Sequence, residues 1–297
     1  MKLLLTGAFK CTDEQIEYLK SLGHEIVFFG DEREKLDFDV SDIEGVICNG
    51  LFVYNDIEQF HSLKYIQLTS AGFDRVPMDY IKQHGIEIHN AGGVYSIPMA
   101  EFAICGVLQL YKQSRFFNKN QSENKWEKHR ELLELYGKTV LIVGCGSVGT
   151  ECAKRFSAFG CNVLGVDLYP REDKNYNKMV TLDLLDSAIS DADIVVLTLP
   201  LTDETYHLFN DKRLKRLRKN AVLVNISRGA VIDTVALIES LPNIGGAVLD
   251  VFEEEPLPLN SPLWDTENVI ITPHNSFVGD GNRNRLNNMI ISNLNRG

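Results

Sequence analysis

Short apolar runs alternate with amphipathic segments along nearly the whole chain. In residues 1–90 the runs are "KLLLT", "EIVFF", "GVIC", "KYIQL" and "IEIH". Between the first two, "CTDEQIEYLKSLG" carries helix punctuation: Thr12 and Gln15 are spaced as a capping box, and Gly23 is a stop. Pro77 suits the first turn of a later helix. Residues 96–114, "SIPMAEFAICGVLQLYKQS", read as one long helix, and "FNKNQSENKWEKHRE" as a surface connection. From Thr139 the alternation resumes with "TVLIV", "CNVLGV", "DIVVLTL", "AVLVNI", "GGAVLDV" and "NVIITP", and "NRNRLNNMIISNLNR" closes the chain as a polar helix that can return to the first domain. Such alternation predicts parallel sheets with helices on their faces. The expected class is α/β with two doubly wound parallel-sheet domains, residues 1–93 with 276–297 forming one and residues 94–275 the other.

Composition narrows the picture. The 297 residues exceed one ordinary compact domain and suit two. With 44% hydrophobic and 24% charged residues the chain can bury a core. A formal net charge of −11 argues against a general binder of nucleic acid or anionic membrane, whose affinity rests on phosphate neutralisation. Cys11, Cys48, Cys105, Cys145, Cys152 and Cys161 show no CxxC or Cys/His ligand spacing. No metal site is therefore expected, and a reduced, cytoplasmic setting fits best. The opening "MKLLLTGAFK" has a short apolar run interrupted by Lys10, so it reads as a buried strand rather than a signal peptide. No stretch approaches the length of a membrane span.

Gly144, Gly146 and Gly149 stand in G-x-G-x-x-G spacing within "KTVLIVGCGSVGTECAKRFSAFGCNVLGVDLY". A strand precedes them, a helix follows, and Asp167 closes the next strand, which is the context a dinucleotide site requires. Gly144 allows the tight turn, Gly146 lets backbone approach a pyrophosphate, and Gly149 lets the helix pack closely on the sheet. The helix N-terminus offers N–H groups to phosphate. Asp167 can accept from both ribose hydroxyls of NAD and would repel the 2′-phosphate of NADP, although Arg171 is near in sequence. NAD is the expected cofactor.

Three titratable residues fall just beyond strand ends of the second sheet, the edge at which open α/β sheets bind ligands. Arg228 follows "AVLVNIS", Glu255 follows "GGAVLDV", and His274 follows "NVIITP". Each alone has an ordinary explanation, as a surface cation, a loop charge and a structural histidine. Together they suit hydride transfer to a keto acid. An arginine holds a carboxylate bidentately and stays charged. A histidine can protonate the carbonyl oxygen, and a neighbouring carboxylate favours and orients the imidazolium.

In order along the chain stand "SAGFD" (70–74), "LYGKTVLIVGCGSVG" (135–149), "LPLTDETYHLFN" (199–210), "VNISRGAVID" (224–233), "LDVFEEEP" (249–256) and "TPH" (272–274). In this combination the chain resembles, over essentially all its length, the D-isomer-specific 2-hydroxyacid dehydrogenase family. The resemblance implies a Rossmann NAD-binding domain and a flavodoxin-like substrate domain, and catalytic roles for Arg228, Glu255 and His274. It singles out the glutamate before proline as the acid–base partner and leaves Glu253 and Glu254 facing solvent. It further implies that backbone at Ser147 and Val148 meets pyrophosphate and that Asp167 holds the adenosine ribose. Thr205, Ile226 and Ser227 would line the cofactor cleft, and Asp250 would face the nicotinamide amide. N–H groups of Ala71 and Gly72 would reach the substrate carboxylate, which Arg228 and His274 also contact. Thr198 departs from the family's frequent histidine, and Asn275 and Ser276 from its small apolar residues.

In the family the loop at 48–60, "CNGLFVYNDIEQF", covers the substrate's variable end; here it holds no lysine or arginine, and Leu51 and Phe52 suggest a small or apolar side chain. Glyoxylate, hydroxypyruvate or an aliphatic 2-keto acid is thus expected ahead of phosphohydroxypyruvate, the substrate of a phosphoglycerate dehydrogenase-like alternative. A second alternative is an NAD-sensing, corepressor-like binding protein, supported by the basic run "DKRLKRLRKN" (211–220). The partners expected are a small 2-hydroxy or 2-keto acid and a second copy in a homodimer, with no nucleic acid and no membrane.

Overall fold

The computed structural model describes residues 1–295. Arg296 and Gly297, the end of the segment expected to rejoin the first domain, lie outside the described residues. Two compact units emerge: Met1–Tyr95 with the C-terminal segment from Gly279, and Ser96–Val278.

In the first unit five strands, β1 (Lys2–Thr6), β2 (Glu25–Phe29), β3 (Gly45–Cys48), β4 (Tyr65–Leu68) and β5 (Glu87–His89), form a sheet in the order β2-β1-β3-β4-β5. All its pairs are parallel. This is the flavodoxin-like order, with its switch point between β1 and β3. The punctuation around Thr12 works as expected: its hydroxyl accepts from Gln15 N, the Gln15 side chain returns the bond, and the helix runs from Asp13 to Ser21. Gly23 follows at φ +84°, a conformation in which a side chain would be strained. The closing helix, Asn282–Leu294, places Leu286, Ile290 and Leu294 in the same cluster as Leu3, Leu5 and Tyr65, so one face of that polar helix belongs to this unit's core.

The second unit holds seven strands: β6 (Thr139–Val143), β7 (Asn162–Val166), β8 (Lys178–Val180), β9 (Ile194–Leu197), β10 (Val222–Asn225), β11 (Gly246–Leu249) and β12 (Val269–Ile271). Their order is β12-β11-β10-β9-β6-β7-β8, a Rossmann sheet extended by one strand. Its pairs are all parallel. Four consecutive buried residues in each of β9, β10 and β11 explain why these read as unbroken apolar runs. The short edge strand β8, "KMV", gives no such signal, and sequence reading passes over it.

The long apolar helix spans Ser96–Tyr111 and stops at Gln113, which takes a left-handed conformation. A second helix, Ser114–Ser122, then occupies part of the expected surface connection. Its polarity hides an aromatic anchor, since Phe116 packs edge-on against Phe117 and against His129. Gly106 brings the long helix onto the sheet; a Cβ there would lie 2.4 Å from Val248 Cγ1. Gly106→Ala is therefore expected to lower the unfolding free energy by about 1–3 kcal/mol through overpacking, measured by urea denaturation. A neutral or stabilising result would show that the helix can withdraw from β11 without loss.

Candidate active site

The glycine loop joins β6 to the helix Ser147–Ala158. Gly144 sits at φ +94°, and a Cβ there would meet Leu199 N at 2.8 Å. A Cβ on Gly149 would lie 2.1 Å from the Gly144 carbonyl oxygen. Over Gly146, by contrast, there is open space out to 4 Å. Two of the glycines are thus demanded by the fold, and the third leaves room above the loop where a pyrophosphate fits. The N–H groups at Ser147 and Val148 open that helix and have no preceding turn to bond. At the end of β7, Asp167 Oδ2 accepts from Cys145 N (2.7 Å) and Oδ1 from Tyr169 N (3.0 Å), leaving lone pairs for ribose hydroxyls. The donor set fits a dinucleotide.

Neighbouring side chains brace the loop. Thr198 donates to the Gly144 carbonyl at 2.6 Å. Arg171 donates to the Cys145 carbonyl at 2.7 Å and to Thr150 Oγ1 at 3.2 Å. Cys145 itself is buried, which pushes its thiol up to about 11, so it stays a neutral filler of the loop. Thr205 closes its own turn, its hydroxyl donating to the Pro200 carbonyl and accepting from Thr202 N, both at 2.7 Å.

The three titratable residues stand on loops after β10, β11 and β12. Asn225, at the end of β10, shapes the first: its Oδ1 accepts from Ser227 N (3.1 Å) and Ser227 Oγ (2.8 Å), and its amide donates to the Arg228 carbonyl (3.0 Å). Arg228 Nη1 bonds the Ser227 carbonyl at 2.8 Å. Next to it, Gly229 presses on the loop after β11; a Cβ there would lie 1.8 Å from the Phe252 carbonyl carbon. On that loop Glu255 folds back so that Oε1 accepts from Phe252 N at 3.0 Å. Its Oε2 lies 2.8 Å from His274 Nδ1. With Nδ1 held by Glu255, the opposite ring atom Nε2 is the one left to exchange a proton with a ligand. Both side chains are partly exposed, so solvent and ligand can reach them.

His274 takes a left-handed backbone conformation, φ +51°. For a non-glycine residue that costs on the order of 1 kcal/mol or more. Asp250 compensates from beneath. Its carbonyl accepts from His274 N (2.8 Å), and its wholly buried carboxylate accepts from Thr272 Oγ1 (2.6 Å), Asn275 N (2.7 Å) and Ser276 N (2.9 Å).

Several residues expected at the site have a more buried setting. Asp250, expected to face a nicotinamide amide, has no exposed surface, and both its oxygens accept from the His274 turn. The side chain of Leu51, expected at the variable end of a substrate, is wholly buried among Val46, Ile66 and Leu68. Phe52 is half-buried and packs edge-on against Phe60. Ile226 is a core residue and Ser227 is buried, so their backbone is what they can present to a cofactor. Nor is Glu253 a free loop charge, since Oε1 meets His207 Nε2 (2.5 Å) and Oε2 accepts from Thr234 N (2.8 Å). Burial works against its charge, yet the bonds from Thr234 and His207 outweigh that and hold its carboxyl below the usual carboxylate range. In the first unit Ala71 is exposed and Gly72 partly so, on the turn after β4; among the described residues neither N–H finds a partner within the chain.

The residues missed by sequence reading are Asn225, Thr272, His207 and Glu253. Only their positions inside the quoted motifs hinted at a part for them. The basic run is largely spent on acidic neighbours: Arg213 and Arg216 on Asp186, Arg218 on Asp193, and Lys215 on Asp211.

Comparison with known proteins agrees with this geometry. The family profile described as "D-isomer specific 2-hydroxyacid dehydrogenase, NAD binding domain" matches residues 104–276. The chain is 34% identical to a glyoxylate reductase of Thermofilum pendens over 91% of its own length and 83% of that protein's. It is also 34% identical to a D-3-phosphoglycerate dehydrogenase of Methanocaldococcus jannaschii, over 92% of its own length but 53% of the relative's. A D-isomer specific 2-hydroxyacid dehydrogenase from Xanthobacter autotrophicus, solved with NADPH and MES, superposes with a TM-score of 0.79 at 26% identity, covering 99% of this chain and 94% of that one. The chain belongs to the D-isomer specific 2-hydroxyacid dehydrogenase family. It is an NAD-dependent oxidoreductase of the 2-hydroxyacid dehydrogenase and 2-keto acid reductase class. Among the described residues no helix is long and apolar enough to cross a membrane.

Replacing Asp250 by Asn would set an NH2 against backbone N–H groups in a buried place. The variant is expected to lose about 1–3 kcal/mol of stability in chemical denaturation. A loss within error of zero would remove Asp250 from its bracing role.

Proposed function

We propose that the protein reduces a small, uncharged-tailed 2-keto acid, with glyoxylate and hydroxypyruvate foremost, to the 2-hydroxy acid using NADH. The observation that carries this reading is the 2.8 Å contact between His274 Nδ1 and Glu255 Oε2 at the ligand edge of a Rossmann sheet. When bound, the nicotinamide supplies the hydride. Arg228 pairs with the substrate carboxylate and sets the carbonyl in place. His274 Nε2 gives its proton to the carbonyl oxygen, while Glu255 holds Nδ1–H and fixes the orientation of the ring. Gly146, Ser147 and Val148 take the pyrophosphate and Asp167 the ribose.

The substrate choice rests on the first unit. At its β1/β3 switch point the carboxylate of Glu32 takes the N–H groups of Asn49 (2.7 Å) and Gly50 (2.6 Å) and also meets the Thr6 hydroxyl. These donors are occupied by an internal anion, and the loop at 48–60 that they open holds no lysine or arginine to pair with a phosphate. We read NADH as the preferred form because Asp167 opposes a 2′-phosphate and Arg171 is engaged on the glycine loop. The buried cysteines Cys48, Cys145, Cys152 and Cys161 support a reducing, cytoplasmic setting. Trp126, a large apolar side chain left 98% exposed beyond the helix Ser114–Ser122, supports a homodimer contact there.

Initial rates on a panel of keto acids with NADH and NADPH test this. Glyoxylate or hydroxypyruvate should exceed phosphohydroxypyruvate at least tenfold in kcat/KM, on the order of the discrimination an unpaired buried charge provides. A preference for the phosphorylated acid would refute the substrate assignment. Glu255→Gln should lower kcat for keto-acid reduction roughly tenfold or more, because the carboxylate that orients the ring is gone. A kcat within about twofold of the parent would refute the acid–base pairing. Light scattering should give twice the mass of the chain, and Trp126→Glu should shift it toward a single copy.

A further inference from the structure

Beside the Glu255–His274 pair stands a second histidine–carboxylate pair that the reaction does not use. His207 lies on the loop after β9 and Glu253 on the loop after β11. Their contact of 2.5 Å is half-shielded, each side chain keeping about a third of its surface. The second oxygen of Glu253 bonds Thr234 N, at the start of the helix Thr234–Ser240 that follows β10. Main-chain bonds run alongside: His207 N–H donates to the Ala230 carbonyl (2.8 Å), Phe209 N–H to Val231 (3.0 Å), and Asp233 N–H to Phe209 (3.1 Å). The Tyr206 ring stacks on the imidazole at 4.1 Å and 15°, which fixes its plane. Three loops are thus clasped at one point, two residues before Glu255 and against the Gly229–Phe252 contact that adjoins Arg228.

We propose that His207 and Glu253 are positioning residues: their bond closes the loop after β9 onto the turn at 251–256 and so holds Glu255, and through it His274, in register with Arg228. This rests on the acid–base reading above. Neither residue touches the reacting atoms. An exposed ion pair would contribute little, but here both carboxylate oxygens and the ring are engaged, and the bond is charge-assisted. Small displacements of an acid–base group reduce rate steeply.

The test compares His207→Ala, His207→Gln, Glu253→Asp and the double variant H207A/E253D in steady-state NADH oxidation with glyoxylate, with far-ultraviolet circular dichroism to establish folding. Asp at 253 keeps the charge but is too short to reach His207 and Thr234 together. We expect H207A and E253D to lower kcat roughly tenfold while the KM for NADH changes less than about twofold. H207Q should recover most of the loss, because its amide can still donate to Glu253, and the double variant should be no slower than the worse single one. If H207A does not fold, E253D alone decides by the same split. A kcat within about twofold of the parent in folded E253D, multiplying losses in the double variant, or a loss falling on the NADH KM would each overturn the proposal. With E255Q measured alongside, a kcat that falls there while it holds in E253D refutes positioning alone. A kcat unchanged in E255Q refutes the acid–base reading and positioning with it.

Discussion

With no solvent contact, the carboxylate of Asp250 must have its charge met inside the protein. Thr272, Asn275 and Ser276 meet it, all from one short segment. A buried carboxylate stripped of such donors costs several kcal/mol. The segment therefore has little choice but to wrap around Asp250, and His274 lies in the middle of the wrap with its backbone forced left-handed. The proposed proton donor is aimed by a charge it never touches with its ring. The same carboxylate sits one residue beyond β11, so the sheet's own geometry anchors the turn.

Parallel strands bring the rest together. Every strand of the second sheet runs the same way, so every loop after a strand opens on the same edge. Arg228, Glu255 and His274 follow β10, β11 and β12, three adjacent strands in the order β12-β11-β10. Neighbouring strands lie about 5 Å apart, which converts large separations in sequence into side-chain distances. The contact of Gly229 with Phe252 then pulls two of these loops closer than the strands alone would, and only a residue without Cβ allows it.

Much of this was legible in the residues. The glycine loop could be read because each glycine answers a backbone requirement that no other residue meets, and the structure shows two of them as close approaches and one as open space. The pairing of Glu255 with His274 was legible through the family resemblance, which singles out the glutamate before proline; the chemistry alone asks only for a carboxylate beside an imidazole, and three glutamates stand in a row. Less could be read where a side chain's use depends on its surroundings. Leu51 and Phe52 look like pocket residues in a loop, yet Leu51 faces the core because a short helix, Leu51–Tyr54, turns it inward. Asp250 and Glu253 are acidic residues in one motif, and nothing in their spacing separates the brace from the clasp. The run from Lys212 to Lys219 looks like a phosphate-binding face until Asp186 and Asp193, distant in sequence, come to lie against it.

The sequence by itself determined most of the strands and helices, the edge strand β8 and the helix Ser114–Ser122 excepted, that the sheets are parallel, and which loop suits a dinucleotide, because these follow from local periodicity and from glycine's backbone freedom. Tertiary structure decided which carboxylates are buried and what they hold, since burial depends on what packs above a residue and not on its neighbours in the chain. That is why a carboxylate near His274 could be expected in advance, while the contacts of Asp250, Asn225 and His207 became visible only once the loops had been brought to one edge.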